Sequence, residues 1–507
     1  MSATRCWCFA VGLVLLLSSG LGLSSPVEAA PVELFGSSVR AAGLAGGGGA
    51  LDDGAASLAV QAAALGLGER DHLRLHYLGG RIFLDPVDGV TRLDGEDEAM
   101  PVVSVQPQVL SADFAKGVGP WARVGVQASL SVPFLYSHET KDPWVPYSMR
   151  WQNRVARSVA SAGAAVRIPV RGVKSEGRPL QGGLWFGFAL SVRPRGIIEV
   201  DLDLSGVAGA GGDGEAAVEA TLKNVVLSAR YVLRPHFSLL LDFGTFAPSL
   251  DGVRLALAYQ PETTTDISPI LLDVAVLNLS EANAVFSLVD RLQATVALGL
   301  TDFYDPHEVR ISLAAERPRF AVSADLRIAL WSRLGPSYGR VVEDSDSSLV
   351  IAFASGESAS YPVISGRFVE GDEFRDAVEL SLGGEGRFPG GIGRQGKRKA
   401  DLRVRGGFRY LQSAVRPQAG RLGTIDGDAM TAALGLGLRF PLHSKNERLG
   451  PLELDWAIQG TRLLPVKLVG PAATEGLDSE LPVAWSEDPH WPGGWVLVSG
   501  VSLGLGF

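Results

Sequence analysis

The chain is poor in cysteine, in histidine and in long apolar runs, and each shortage excludes a class of protein. Both cysteines, Cys6 and Cys8, precede the apolar stretch that begins at Phe9, so a mature chain cut after that stretch contains no disulfide. Beyond about residue 30 no long uncharged apolar run occurs, which excludes a helical multi-pass membrane protein. A net charge of −9 disfavours nucleic acid as a partner, because phosphate binding needs a basic face.

The N-terminus has the features of a secretory signal peptide over residues 1–29. Arg5 supplies the positive charge, residues 9–17 (FAVGLVLLL) form a short apolar core, and Val27-Glu28-Ala29 offers small residues for cleavage. A lipoprotein is disfavoured because the cysteines lie before the apolar core. The alternative is a buried N-terminal helix.

Strict alternation of apolar and polar residues dominates the chain beyond about residue 70. It is clear in residues 72–77 (HLRLHY), 325–331 (DLRIALW), 401–406 (DLRVRG) and 453–459 (ELDWAIQ). A period of two predicts strands with one apolar and one polar face. Such strands suit either a β-sandwich or the wall of a lipid-facing barrel.

Connection lengths and the last strand favour the barrel. The connection at residues 316–318 is very short, whereas residues 260–306 and 334–373 are predicted as long loops. The chain ends on an alternating apolar strand that closes such a barrel, and its marker residues are Trp495, Leu503, Leu505 and Phe507. A soluble domain that ends in a strand is the alternative.

The segment between residues 31 and 65 shows no alternation. It is rich in small residues and contains a glycine run, so it cannot cross lipid, where its backbone groups would lack partners. It repeats large apolar residues at about seven-residue spacing: Phe35, Leu44, Leu51, Leu58 and Leu65. This repeat favours a packed segment inside the barrel over a flexible linker.

This segment resembles the start of the mature chain in the FadL family of outer-membrane transporters for long-chain fatty acids and other hydrophobic compounds. The resemblance lies in residues 33–36 (ELFG), 40–44 (RAAGL) and 50–53 (ALDD), which keep the family's order and similar spacing. Residues 320–334, 377–388 and 402–410 resemble later strands of the family. Residues 61–64 (QAAA) depart from it, since they replace the family's Asn-Pro-Ala-Gly, and Ala59-Val60 replace its aromatic pair.

The resemblance implies an all-β fold, a transmembrane antiparallel barrel of about 14 strands over residues 71–507. An N-terminal luminal hatch would occupy residues 30–70. The hatch and gating residues that it implies are Phe35, Gly36, Arg40, Gly43, Asp53, Leu58, Gln61 and Ala62. In the family, a ligand captured among outer loops enters the barrel and leaves sideways through a gap in the wall, and the hatch gates this path.

The predicted function is passive transport of fatty acids or other hydrophobic compounds across the bacterial outer membrane. The expected partners are the hydrophobic ligand, outer-membrane lipids and the barrel-assembly machinery, and the chain is expected to be a monomer. An alternative is a structural or general-diffusion, porin-like barrel, which the altered residues 61–64 keep open. An outer-membrane lipid-modifying enzyme is a further alternative and requires a Ser/His pair on adjacent strands. Residues 267–289 form an apolar segment with a partly helical rhythm that would suit ligand capture; the alternatives are another barrel strand or a loop helix.

Candidate catalytic and metal motifs are set aside. Residues 500–504 match the GxSxG pattern, but only three residues follow and no strand-to-helix elbow is predicted. The GxGxxG at residues 391–396 precedes a strand instead of the helix that phosphate binding needs. The seven histidines lack a zinc-ligand spacing, and the acidic runs lack the pattern of a calcium loop. We therefore predict no enzyme activity, cofactor or metal.

Overall fold

A computed structural model describes most of the chain after residue 33. The described residues are 34–51, 54–68, 70–92, 99–102, 104, 106–132, 147–148, 150, 158–168, 183–207, 217–277, 289–333, 348–353, 358–362, 374–392, 400–416, 424–442, 450–468 and 483–507. The predicted signal peptide and Asp53 therefore lie outside the described residues. Within them, no helix is long and apolar enough to span a membrane.

Fourteen antiparallel strands close into a ring, which confirms the predicted all-β barrel. Their bounds are β1 His72–Leu84, β2 Gln108–Val118, β3 Ala122–Ser131, β4 Val159–Ile168, β5 Leu184–Val207, β6 Ala217–Asp242, β7 Val253–Gln260, β8 Glu308–Arg317, β9 Phe320–Ala329, β10 Ala377–Ile392, β11 Ala400–Leu411, β12 Ala429–Phe440, β13 Leu452–Leu463 and β14 Gly494–Gly506. Each strand pairs with the next. The ring closes between β1 and β14, from His72 opposite Gly506 to Leu84 opposite Gly494.

The two faces of the wall follow the alternation in the sequence. On β13, Leu454, Trp456 and Ile458 are exposed on the outer face, whereas Gln459 is buried on the inner face. Strand β14 contains the predicted marker residues up to Leu505 and pairs with β1, and Trp495, Leu503 and the following Phe507 lie on the outer face. An apolar exterior of this kind suits contact with lipid and does not suit contact with water.

Connections are short at one end of the barrel and long at the other, as predicted. At the first end, which we call the short end, residues 119–121 join β2 to β3 and residues 318–319 join β8 to β9. At the opposite end, the long end, residues 132–158 and 464–493 connect neighbouring strands. The N-terminal end of β1 and the C-terminal end of β14 both lie at the short end, because the number of strands is even.

The two connections predicted to be long, at residues 260–306 and 334–373, are long, and they contain β-strands where the structure describes them. The first range contains strands Thr263–Leu277 and Val289–Asp305, which form an antiparallel hairpin, and the second contains Ser348–Phe353 and Ser358–Pro362. The helical rhythm predicted for residues 267–289 is thus absent from 267–277, which pair in this hairpin beyond the 14-strand ring. Long β-hairpins satisfy their backbone groups through the same antiparallel pairing as the wall.

The remaining short elements lie at the two ends. Strands Asp88–Arg92, Val466–Lys467 and Val483–Trp491 form a small sheet, and Tyr147–Ser148 pairs with Thr424–Ile425. Single-turn 3₁₀ helices lie at Phe243–Thr245, Pro248–Leu250 and Trp331–Arg333. Before β1, the chain forms α1 at Val39–Gly43 and 3₁₀ helices at Gly54–Ala59 and Ala62–Leu67.

Candidate functional site: the segment inside the barrel

The described residues 34–51 and 54–68, which we call the luminal segment, lie inside the barrel. The five apolar residues that repeat along it are Phe35, Leu44, Leu51, Leu58 and Leu65, and each is at most 2% exposed. Their neighbours are inward-facing residues of the wall, from β1 through β14. The segment is therefore packed, and it does not have the exposure of a flexible linker.

Glycines on the inner face of the wall let the luminal segment approach the strands closely. A Cβ atom at Gly407 of β11 would overlap the backbone of Leu44, and one at Gly187 of β5 would overlap Ala63. On β12, a Cβ atom at Gly435 would lie 3.2 Å from the Cα atom of Gly43. The high glycine content of the chain thus has a specific use at these contacts, where backbone packs on backbone.

The half of the segment nearer β1 is tied to the wall by side chains that bind its backbone. His236 donates from Nδ1 to the Leu58 carbonyl at 2.9 Å, and Ser238 accepts from the Ala63 amide at 2.8 Å. Gln61 donates to the carbonyls of Leu239 and Leu257 at 2.9 and 3.2 Å. These bonds satisfy polar groups that water cannot reach, so they fix the 3₁₀ helices against β6 and β7.

The glycine run at residues 46–49 wraps a carboxylate of the wall. The amides of Gly48 and Gly49 donate to the two carboxylate oxygens of Asp325, at 2.8 and 3.1 Å, and Ser312 donates to the same group. Gly48 has a φ of +99°, a conformation that favours glycine. Successive amides that converge on one anion form a nest, so Asp325 anchors the middle of the luminal segment.

An ion-pair cluster links the segment to β10 and β11. Arg40 donates to Glu385 at 3.1 Å, and Glu385 also receives Arg405 and Arg387, each at 2.7 Å. Arg405 extends the cluster to Asp455 on β13. Buried charges of this kind require partners, so the cluster holds the wall side chains and the segment in one arrangement.

A second cluster of paired charges lies on the inner wall toward the long end. Its members are Arg193, Arg234, Asp305, Glu308, Arg327, Glu379 and Arg409. Arg409 also donates to the Leu34 carbonyl at the start of the segment. The inner wall is thus charged both at its contacts with the segment and between the wall strands themselves.

The N-terminal end of the luminal segment lies in an apolar cluster at the long end of the barrel. Leu34 and Phe35 pack there with side chains of the wall and of the connections above it: Leu78, Ile82, Val87, Val109, Leu411, Ile425, Leu463, Leu468, Trp491, Val496 and Val498. Phe35 and Trp491 are fully buried. The N-terminal end of the segment is thus held by packing among apolar side chains.

The structure brings most of the predicted hatch residues together in the lumen, and Asp53 alone lies outside the described residues. Gly36 has a φ of +96° and turns the chain before α1, while Gly43 lies against β12. Ala62 is fully buried beside β5. Their role in gating is not tested by this arrangement and stays a prediction.

Sequence reasoning missed the wall residues that hold the segment. Glu385, Asp325 and His236 are distant in sequence from their partners, and each is one polar residue among many on an inward face. Only the alternation marks them as inward-facing, and nothing local pairs them with the segment. Ser502 of the GxSxG pattern lies within the straight strand β14, where its hydroxyl donates to Asp455 at 3.4 Å.

Between β1 and β2 a side chain takes the place of main-chain pairing. β1 pairs with β2 only from His72 to Gly79, and beyond it Gln106 accepts from the Ile82 amide at 2.8 Å and donates to its carbonyl at 3.3 Å. The sideways exit that the family resemblance implies stays a prediction.

The chain matches FadL-type channels in structure. A FadL homologue from Pseudomonas aeruginosa is 13% identical, with 96% of this chain and 99% of that chain covered and a TM-score of 0.49. The P. putida toluene transporter TodX is 12% identical (94% and 99% covered, TM-score 0.45), and the Ralstonia pickettii toluene transporter TbuX is 14% identical (92% and 98%, TM-score 0.44). No protein-family model and no curated protein matches the sequence.

Proposed function

We propose that the chain is an outer-membrane channel that admits hydrophobic compounds, with residues 30–70 as its hatch and residues 71–507 as its barrel. The observation that carries this proposal is the position of the luminal segment. The segment begins in the apolar cluster around Phe35 and Trp491 and crosses the barrel interior. Residues 1–29 are proposed as the cleaved signal peptide. The proposal has the barrel monomeric and without enzymatic activity.

Placement in a membrane is supported by aromatic side chains on the outer wall at both ends. Exposed aromatic residues near the short end are Trp121, Phe246, Phe320, Phe388, Phe440 and Phe507, and those near the long end are Phe83, Tyr231, Tyr259 and Trp495. Between them the outer face is apolar. Aromatic girdles that flank an apolar band are typical of outer-membrane barrels, and long connections face the outside of the cell.

The ligand class follows from the energetics of the apolar cluster. Each CH₂ group that leaves water gains about 0.8 kcal/mol. A hydrophobic compound that displaced Leu34 and Phe35 would recover this free energy among the same wall side chains. Long-chain fatty acids and uncharged hydrocarbons are both of this class.

Loss of the family's Asn-Pro-Ala does not leave the hatch unanchored. Gln61, which stands at the start of the altered residues, uses its amide to bind two carbonyls of the wall. We infer that the hatch is held at this point and that opening requires release of the contacts of residues 34–49 with Glu385 and Asp325.

The experiment is calorimetric binding of oleate and of toluene to the purified protein in detergent, with deletion of residues 31–60 as comparison. We expect saturable binding of at least one compound by the full chain and its loss on deletion. Absence of binding for both compounds would overturn the proposal.

The charged inner wall favours one second candidate, a general-diffusion barrel for small polar solutes. Ion conductance in planar bilayers separates the two. A gated channel has low conductance that rises when residues 31–60 are deleted, whereas a diffusion barrel conducts equally with and without them.

A further inference from the structure

We propose that the outer wall at the long end binds a bisphosphorylated membrane lipid, whose phosphate groups are held by Arg81 and Arg462. This site is separate from the lumen and does not depend on the transport proposal. It requires only that the apolar outer wall lies in a membrane.

The two arginines flank β14 on the outer face. Arg462 of β13 lies opposite Trp495, and Arg81 of β1 lies opposite Leu497, one outward position further along β14. Because β1 and β13 are the two neighbours of β14, and the arginines are offset by two residues along it, their backbones are about 12 Å apart. Two cations at this separation fit two phosphate groups of one headgroup better than one phosphate.

The surroundings match the level of a lipid headgroup. The Arg462 guanidinium carbon lies 5.2 Å from the centre of the Trp495 ring, and Phe83 of β1 is the cross-strand partner of Trp495, with both aromatic residues 50% exposed. Tryptophan at this height marks the boundary between acyl chains and headgroups. Toward the short end, exposed Leu497 and Val501 continue the apolar surface on which acyl chains would lie.

The local charge suits an anion. Arg462 is oriented by the carbonyls of Gly494 and Pro492, each at 3.4 Å, and the nearest carboxylate that it pairs with, Asp85, is 3.9 Å away. Arg81 is exposed at the same rim. Among the described residues, Asp85 is the one carboxylate paired with Arg462, and guanidinium binds phosphate through paired N–H donors.

The test is native mass spectrometry of the purified full chain in detergent, titrated with bisphosphorylated lipid A, monophosphorylated lipid A and diacylglycerol. We expect the order of binding to follow the number of phosphates. The double variant Arg81→Ala/Arg462→Ala should bind the bisphosphorylated lipid about tenfold more weakly. Each single variant should bind bisphosphorylated and monophosphorylated lipid A with equal affinity.

The matched control is Arg319→Ala, which removes an exposed cation at the short end and should leave binding unchanged. All variants must keep the heat-dependent gel migration of a folded barrel, which we expect because these side chains are at the surface. Equal binding of diacylglycerol, or an equal loss in Arg319→Ala, would overturn the proposal and leave the patch as an ordinary aromatic girdle.

Discussion

At the scale of single residues, glycines on the inner wall make room for the luminal segment, because glycine has no side chain. Neighbouring positions on β11 show this well, because Gly407 faces the lumen and Gly406 faces outward. A side chain at Gly407 would overlap Leu44, whereas a Cβ atom at Gly406 would lie 3.8 Å from its nearest neighbour. A side chain added at Gly407 would therefore displace the luminal segment, whereas one added at Gly406 would not.

Gly407→Val should expel the middle of the luminal segment from the wall without unfolding the barrel. Valine suits a strand, so the wall itself tolerates it, but its side chain occupies the space of the Leu44 backbone. We expect higher ion conductance and new tryptic cleavage at Arg40. Gly406→Val, the control, should conduct like the parent chain; equal conductance in all three proteins would contradict the packing described here.

At the scale of elements, the alternation of residues predicts the strands and the faces of the wall, and the repeat of Phe35, Leu44 and Leu58 predicts a buried segment. The sequence did not predict the hairpin of Thr263–Leu277 and Val289–Asp305, because its glycine-free apolar run has no clear period. Nor did it predict the anchors of the segment. Such contacts depend on which strands the closed ring brings opposite residues 46–49, and this is a property of the whole sheet.

Asp325→Ala should loosen the glycine loop of the luminal segment. The amides of Gly48 and Gly49 lose their acceptors, and an unpaired buried donor costs about 1–3 kcal/mol. Hydrogen exchange of these two amides should accelerate by about tenfold or more. Ser323→Ala is the control, because its hydroxyl is buried on the same strand without a hydrogen-bond partner among the described residues. Unchanged exchange in Asp325→Ala would show that the nest does not anchor the loop.

At the scale of the whole molecule, the short and long ends of the barrel define an orientation in the membrane. The N-terminal end of β1 and the C-terminal end of β14 lie at the short end. The connections that cover the apolar cluster lie at the long end. The ring of 14 strands includes the middle of the chain, where the sequence shows only the alternation of residues.

Single cysteines test this orientation, because the chain after residue 8 has none of its own. In intact cells, a membrane-impermeant maleimide should label Asp88→Cys at the long end and not Arg319→Cys at the short end. Permeabilised cells should label both. Labelling of Arg319→Cys alone in intact cells would reverse the orientation.

The central claim is that hydrophobic compounds pass only when the luminal segment moves, and a reversible lock tests it most directly. The Cβ atom of Leu44 lies 3.2 Å from the position of a Cβ atom at Gly383 on β10, slightly under the spacing of about 3.5 Å at which disulfides form. In cells that carry Leu44→Cys/Gly383→Cys, uptake of labelled oleate and toluene should stop on oxidation and return on reduction, while each single-cysteine variant responds to neither treatment. Full uptake by the completely cross-linked protein would contradict the account.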